Sequence, residues 1–291
     1  MTSRTRSLID ADDATAVGTL AKVGDGAKRS LASGHNAQVG ANATDASAIG
    51  ASASVGDGSS YSNAFGATAS VAAGTQYSNA FGFGANVGAG ANYSDAYGYQ
   101  ASVGAGATNA MAYGSGATVA AGANGAVAMG YGSNVSTAGS VAVGAGATVT
   151  GQNSVAIGQG SVASQANTVS VGDVGAERRI TNVAAGIAPT DAVNVGQLNQ
   201  AYGDLSNQIG SVQDESRRGI AAAVALASPL MPSAPGKTTI NGSVGMFKSE
   251  VGLGVSVAHR LDLSSPVMLH AGYSNGGGDS HVGRVGLAFE F

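Results

Sequence analysis

The sequence predicts a mainly β protein with a head of short repeated strands, a short helical coiled coil and four C-terminal strands that join a shared membrane barrel. Three observations support this: glycines recur at fixed spacing over the first 172 residues, a heptad seam follows, and four strand-like runs end the chain. The expected boundaries are 1–172 for the head, 173–197 for a neck, 198–218 for the coiled coil and 219–291 for the membrane part.

The composition narrows the classes of function. Only 10% of the 291 residues are charged and there is no cysteine, which excludes disulfides, thiolate nucleophiles and cysteine metal sites. The net charge of -4 comes without a basic stripe, so nucleic acid is not an expected partner. Residues 1–10 lack the apolar run of a signal peptide, and no window reaches the roughly 20 apolar residues of a membrane helix, so any membrane span is expected to consist of strands.

A glycine repeat organises the head. The marker glycines are spaced by 16 and then by 14 residues, at Gly18, Gly34, Gly50, Gly66, Gly82, Gly98, Gly114, Gly130, Gly144, Gly158 and Gly172. A valine usually follows five residues later, and the segment 154–158 (SVAIG) alternates as a strand does. Each repeat is therefore predicted to form two short strands and two turns, with alanine and glycine lining a narrow interior.

Two columns of aromatic residues follow the same repeat. One comprises Phe65, Phe81, Tyr97 and Tyr113, which could fill either the interior or a subunit interface. The other, here called the tyrosine ladder, comprises Tyr61, Tyr77 and Tyr93. The tyrosine ladder is predicted to form a row on one face and is the candidate ligand-contact surface, with mutual stacking that stabilises the head as the open alternative.

The head offers almost no groups for acid–base catalysis. Between residues 30 and 172 the only carboxylates are Asp45, Asp57 and Asp95, with no lysine or arginine and a single histidine, so an enzyme active site is not expected there. No cofactor is predicted. The four histidines, His35, His259, His270 and His281, lack metal-ligand spacing, and the GKT at 236–238 lacks the first glycine of a phosphate loop, so no metal or nucleotide site is predicted.

Charge returns at Asp173, where the sequence becomes specific. NSVAIG at 153–158 is followed by ERRITNVAAG at 177–186 and DAVNVGQL at 191–198. In this order and spacing, the motifs resemble the head-to-neck transition of the trimeric autotransporter adhesins, the YadA-like proteins.

The resemblance implies a left-handed parallel β-roll head and a neck that gathers three heads onto a coiled coil by exchanging segments between subunits. Glu177, Arg178, Arg179 and Asp191 are then expected to contact neighbouring subunits as paired charges rather than to form a catalytic cluster.

The residues themselves predict the coiled coil. A seam spaced three, four, three, four, three runs through Val195, Leu198, Tyr202, Leu205, Ile209 and Val212. The seam alone does not fix the number of chains, because its residues follow neither a dimer rule nor a trimer rule.

Four strand-like runs follow a small-residue helix predicted at 219–227 and a proline-rich link. They lie near 237–247, 251–261, 266–274 and 281–291, and each has about the length of a tilted strand that crosses a bilayer. Apolar residues alternate with small or polar ones, and Gly252 and Gly254 are assigned to the lumen face. Phe291 ends the chain, as in substrates of the outer-membrane barrel assembly machinery.

Four strands cannot close a barrel, and open sheet edges are not tolerated in hydrocarbon. Two chains would give eight strands, whose interior is filled by side chains, whereas three give twelve strands with room for helices. This number agrees with the family resemblance, in which each subunit supplies four strands and the passenger is exported through the trimeric pore.

The resulting functional hypothesis is a homotrimeric adhesin of a Gram-negative outer membrane, with the head and stalk at the cell surface. Its expected partners are copies of itself, host extracellular-matrix or cell-surface molecules, and the barrel assembly machinery. The alternative is a surface protein for autoaggregation, biofilm formation or serum resistance, and an enzyme is the reading that the sequence disfavours. The receptor cannot be read from the sequence, because folds of this type carry diverse binding sites.

Overall fold

The computed structural model describes residues 11–226 and 230–290, and the chain divides into two compact units, Met1–Arg179 and Ile180–Phe291. Within the described residues there are 25 strands and one helix. The first unit contains β1 (Thr15–Val17), β2 (Lys22–Val23), β3 (Leu31–Ser33), β4 (Gln38–Val39), β5 (Ser47–Ile49), β6 (Ser54–Val55), β7 (Asn63–Phe65), β8 (Ser70–Val71), β9 (Asn79–Phe81), β10 (Asn86–Val87), β11 (Asp95–Tyr97), β12 (Ser102–Val103), β13 (Met111–Tyr113), β14 (Thr118–Val119), β15 (Val127–Met129), β16 (Asn134–Val135), β17 (Val141–Val143), β18 (Thr148–Val149), β19 (Val155–Ile157), β20 (Val162–Ala163) and β21 (Val169–Ser170).

The first unit is a parallel β-solenoid. Odd-numbered strands form one sheet of 11 strands and even-numbered strands form a second sheet of 10, each strand pairing with its equivalent in the next coil. The register repeats without slippage, so that Ala64 pairs with Ala80 and Val71 pairs with Val87. The predicted fold class, mainly β with two strands per repeat, is confirmed.

Alanine and valine fill the interior of the solenoid. The middle residue of each three-residue strand, β1 through β19 in odd numbers, is an inward alanine such as Ala64. The last residue of most even-numbered strands of this unit is an inward valine such as Val71. Glycine contributes less to the lining than predicted: Gly24, Gly151 and Gly172 are buried, but the marker glycines other than Gly172 are half-buried at the corners. Two sheets this close leave space only for small and β-branched side chains.

The marker glycines bring neighbouring coils into backbone contact. Gly114 has a φ of 136°, and a Cβ placed there would lie 2.5 Å from the carbonyl oxygen of Gly130 in the next coil. Only glycine adopts this conformation at low cost and leaves room for the neighbouring carbonyl. The regular spacing of the glycines in the sequence therefore marks the corners of successive coils.

The column of Phe65, Phe81, Tyr97 and Tyr113 lies on the outside of the odd-numbered sheet. The rings of Phe65 and Phe81 stack with centroids 4.8 Å apart, and those of Phe81 and Tyr97 are 4.9 Å apart. Of the two open positions for this column, the interior is the wrong one, because strand alternation gives the inward position to alanine.

The second unit contains one helix, α1 (Val195–Ala225). Its N-cap is Asn194, whose side-chain oxygen accepts a hydrogen bond from the backbone N–H of Gln197 at 3.0 Å. The small-residue segment predicted as a separate helix from residue 219 continues the stalk helix without a break, because nothing between 212 and 219 interrupts helical hydrogen bonding. Residues 227–229 lie outside the described part of the chain.

Four antiparallel strands complete the second unit: β22 (Thr238–Phe247), β23 (Glu250–Arg260), β24 (Val267–Asn275) and β25 (His281–Phe289). They pair in sequence order as a meander, close to the predicted positions. Small and polar residues face α1, and large apolar residues such as Leu253 and Phe289 are exposed on the opposite face. The C-terminal Phe291 lies outside the described residues.

No helix within residues 11–226 and 230–290 is both long enough and apolar enough to cross a bilayer.

Candidate functional site

The tyrosine ladder is an exposed stack of three rings on the head. Tyr61 and Tyr77 have ring centroids 4.8 Å apart, and Tyr77 and Tyr93 have centroids 5.1 Å apart, with planes tilted by 3° and 4°. Between 45% and 59% of each residue is exposed. The structure thus brings these predicted site residues together in one row.

The backbone of the tyrosine ladder is strained. All three tyrosines have positive φ, between 54° and 58°, at a turn position that three other coils fill with Asn109, Asn153 and Asn167. A left-handed residue other than glycine costs about 1–2 kcal/mol, whereas a stacked aromatic pair contributes about 0.5–1.5 kcal/mol. Arg29 and Asp45 fill the same turn position with φ of 52° and 53°, so the left-handed cost belongs to the position and is not peculiar to tyrosine.

Arg178 closes the C-terminal end of the solenoid. Its Nη1 donates to the carbonyl oxygen of Val171 at 2.7 Å and to Ser161 Oγ at 2.9 Å. These acceptors belong to the last coils of the head, where no further coil supplies donors. Within one chain, Arg178 is therefore a cap for the solenoid.

We expect Arg178→Met to loosen the last coils. The charged hydrogen bonds are partly open to solvent, so the expected loss in the free energy of unfolding is about 1 kcal/mol. Amide hydrogen exchange should become faster in β20 and β21, while Arg179→Met, a change at an exposed neighbour, serves as the control. Equal exchange rates in the two variants would contradict the capping role.

The two predicted neck carboxylates bind backbone amides of their own chain. The N–H of Gly175 donates to Glu177 Oε1 at 2.9 Å, which holds the pKa of Glu177 below its ordinary value. The amides of Ala188 and Ile187 both donate to Asp191 Oδ2 at 2.9 Å and lower the pKa of Asp191 in the same way. Contacts of these residues with other subunits stay a prediction.

Sequence reasoning missed the junction between the neck and the helix. Gln197 donates through Nε2 to the carbonyl oxygen of Gly186 and accepts through Oε1 from the Gly186 amide, both at 2.9 Å. Asn194 and Gln197 also form a capping box. An Asn followed three residues later by Gln before a heptad seam was the available signal, and these two residues fix where the helix begins.

The heptad seam is exposed along the helix. The six seam residues, Val195, Leu198, Tyr202, Leu205, Ile209 and Val212, are all at least 51% exposed in the single chain. An apolar stripe of this kind on a helix normally packs against another helix. Within the described residues of this chain, the seam is therefore an apolar helix face without a helical partner.

The last turns of α1 lie directly on the glycines of the sheet. A Cβ placed on Gly252 would lie 2.5 Å from the carbonyl oxygen of Ala221, and Gly254 would meet the carbonyl of Ala225 still more closely. The Ser274 hydroxyl donates to the Ala222 carbonyl at 2.7 Å, and the Ser243 hydroxyl donates to the Ala225 carbonyl. The sheet thus supplies a donor for the Ala225 carbonyl at the helix end, and a second donor for the Ala222 carbonyl, which also accepts from the Leu226 N–H at 3.0 Å.

The fold and the exposed surfaces together define a structural class of protein. The first unit is a β-solenoid with an exposed aromatic row, and the second is a helix with an unpartnered seam that packs on an amphipathic open sheet. Together they define a modular β-solenoid protein with exposed aromatic and apolar surfaces.

Parts of the chain match models of known protein families and one curated relative. Residues 121–147 and 150–173 match the YadA head domain repeat, and residues 179–221 match the coiled stalk of trimeric autotransporter adhesin. Autotransporter adhesin NhhA of Neisseria meningitidis serogroup B (strain ATCC BAA-335 / MC58) is 32% identical over 105 residues, which cover 36% of this chain and 17% of that protein. The head and stalk matches, in the expected order, support a YadA-like trimeric autotransporter adhesin.

Two solved structures are also similar. The collagen-binding domain of the Yersinia adhesin YadA is 27% identical, with a TM-score of 0.44 over 63% of this chain and 88% of that one. The membrane anchor domain of the trimeric autotransporter YadA is 24% identical, with a TM-score of 0.29 over 32% of this chain and 86% of that one. Both scores are too low to carry an argument about detailed structure.

Proposed function

We propose that the chain is one subunit of a homotrimeric outer-membrane autotransporter adhesin. In this assembly the C-terminal sheets anchor the protein and export the passenger, the helices form a stalk, and the head attaches to host matrix, host cells or other bacteria. The observation that carries the proposal is the open amphipathic sheet of β22–β25.

The sheet has two free edges and one large apolar face. Within the described residues, β22 pairs only with β23 and β25 pairs only with β24, so that both outer strands lack a partner. On the face away from the helix, Ile240, Leu253 and Val285 are between 64% and 78% exposed. A bilayer would cover such a face, and unpaired edges are excluded from hydrocarbon, so neighbouring copies must pair with the edges.

The lumen side favours three copies. Gly252 and Gly254 leave room for one helix per sheet, with the backbones of the helix and the sheet in close contact. Eight strands from two copies enclose only enough space for side chains, whereas twelve strands from three copies can enclose three helices of about 10 Å diameter. A trimer thus gives every edge strand a partner and also leaves enough space for the three helices.

The outer face of the odd-numbered sheet supports self-association of the head. Tyr113, Met129, Val143 and Ile157 form a continuous exposed column with the stacked aromatic rings of the earlier coils. A contiguous apolar patch of this kind usually marks an interface. It lies on the same protein as the exposed helical seam, so each unit has a surface that another copy could cover.

We expect the detergent-extracted protein to migrate as a heat-resistant trimer in denaturing gels and as a monomer after strong denaturation. Leu205→Ser should lower the dissociation temperature, because it removes an apolar seam residue, whereas the off-seam change Asn207→Ser should leave it nearly unchanged. A monomer under every mild condition would remove the proposal.

The second candidate function is autoaggregation without a dedicated host receptor, because the same apolar and aromatic surfaces could bind copies on other cells. Cells that display the protein, mixed with beads coated with matrix proteins, distinguish the two functions. An adhesin binds the beads at cell densities too low for clumping, and a purely aggregating protein clumps cells without binding beads. Three copies of a weak site would raise the avidity of either contact.

A further inference from the structure

The environment of the tyrosine ladder indicates what it binds. Each ring projects from a turn, and its backbone N–H donates to a carbonyl of the preceding coil, as from Tyr77 to Ser60 at 3.1 Å and from Tyr93 to Gln76 at 3.0 Å. The rings therefore stand at fixed heights along the solenoid, and their spacing is set by the coils.

A row of buried serines forms hydrogen bonds with the backbone next to these turns. Ser78 Oγ donates to the Ala91 carbonyl at 2.9 Å and accepts from the Ser94 amide at 3.0 Å, and Ser62 and Ser94 make the equivalent bonds in their own coils. Because each serine directly follows a ladder tyrosine, the exposed rings rest on a rigid hydrogen-bonded base. The surface is preorganised, which lowers the entropic cost of binding.

Polar columns flank the tyrosine ladder on both sides. On one side Asn63 Nδ2 donates to Asn79 Oδ1 at 2.9 Å, and Asn79 Nδ2 donates to Asp95 Oδ1 at 2.8 Å. On the other side lie Ser60, Gln76 and Asn92, each one residue before a tyrosine. The strip therefore combines ring edges with amide, hydroxyl and carboxylate groups, and it contains no cation.

We propose that the tyrosine ladder binds an extended, neutral β-1,4-linked polysaccharide that lies along the solenoid axis. Ring spacings of 4.8 and 5.1 Å are close to the advance of one hexopyranose unit in such a chain. The ring edges and their phenol hydroxyls then line one side of the polysaccharide at one ring per sugar, and the flanking amides bond the sugar hydroxyls. The proposal rests on the proposed function only in requiring the head to be exposed at the cell surface.

Other polymers fit the strip less well. An extended peptide advances about 3.3 Å per residue and falls out of step with the rings. Nucleic acids and sulfated glycans need cations for their charges, and the three coils that carry the tyrosine ladder supply none. Lys28 and Arg29, further along the same columns, are paired with Asp12 and Asp45.

The test is titration of the full-length, detergent-solubilised protein with cellohexaose and with hexa-N-acetylchitohexaose by isothermal calorimetry. The triple variant Tyr61→Asn, Tyr77→Asn, Tyr93→Asn should bind about ten-fold more weakly or not at all, because it loses the rings. Its melting temperature should stay the same or rise, because asparagine relieves the left-handed strain. The matched control is Phe83→Ala with Tyr99→Ala, which removes another exposed pair, stacked at 5.5 Å, and should leave binding intact.

The dependence on ligand length and shape sharpens the test. Affinity should rise steeply from a disaccharide to a trisaccharide, which spans the three rings, and maltohexaose, whose α-linked chain curls, should bind poorly. Absence of binding to either hexasaccharide, or equal binding by the triple variant, overturns the glycan proposal. If the triple variant still forms heat-resistant trimers and cells displaying it still bind matrix-coated beads, the proposed function stands without it.

Discussion

Gly114→Ala is expected to unfold the middle of the solenoid, whereas Gly122→Ala, in the same repeat, is tolerated. A Cβ at residue 114 would lie 2.5 Å from the Gly130 carbonyl oxygen and 2.7 Å from its carbon, at a φ of 136°. Relief requires two coils to separate, which breaks ladder hydrogen bonds on both sheets. The combined strain and overpacking correspond to about 2–6 kcal/mol.

The control isolates the clash from the loss of glycine itself. Gly122 also has a positive φ, of 71°, but a Cβ there meets nothing within 4 Å. Its replacement should cost only about 1–2 kcal/mol of left-handed strain. Denaturant unfolding of the full chain followed by circular dichroism gives both values, and hydrogen exchange localises the change. If both variants lost similar amounts of unfolding free energy, close contact between coils at the marker glycines would not be the cause of the destabilisation.

Gly252→Ala is the second substitution with a large expected effect. The new methyl group would press on the carbonyl of Ala221, in a helix already held to the sheet by the Ser243 and Ser274 hydroxyls. The expected cost is about 1–3 kcal/mol per chain, because the helix must move outward and those hydrogen bonds lengthen. Heat-resistant oligomers should therefore dissociate at a lower temperature in detergent.

Gly242→Ala provides the matched comparison. It changes a glycine of the same sheet, but a Cβ at this position has nothing within 4 Å. Its oligomer should keep the dissociation temperature of the unchanged protein. A drop of equal size in both variants would mean that the loss of glycine flexibility, rather than the helix contact, sets the stability.

Much of the fold could be predicted because repetition amplifies weak signals. One short strand such as Val155–Ile157 carries little information, but eleven marker glycines spaced by 16 and then by 14 residues define coils and their register. The heptad seam and the alternating C-terminal runs are likewise periodic, and periodicity is the part of a sequence that translates directly into local geometry. The membrane strands were accordingly placed to within about two residues.

The sequence shows that a strand has two different faces more readily than it shows which face is buried. The segment from Asn63 to Phe65 alternates, but alanine and phenylalanine are both apolar, so hydropathy cannot say which of them is buried. The distance between the two sheets decides it, since only alanine and valine fit between them. The aromatic column is therefore exterior, which the sequence had left open.

The candidate site shows the same division. The sequence by itself determined that Tyr61, Tyr77 and Tyr93 recur at one place in successive coils, and that a helical seam and four alternating strands follow. Only the tertiary structure decided that these tyrosines take left-handed backbone angles, that Arg178 caps the last coils and that the helix end is bonded by sheet serines. The reason is physical: spacing along the chain fixes local periodicity, whereas these contacts join groups whose distances depend on how coils, helix and sheet pack.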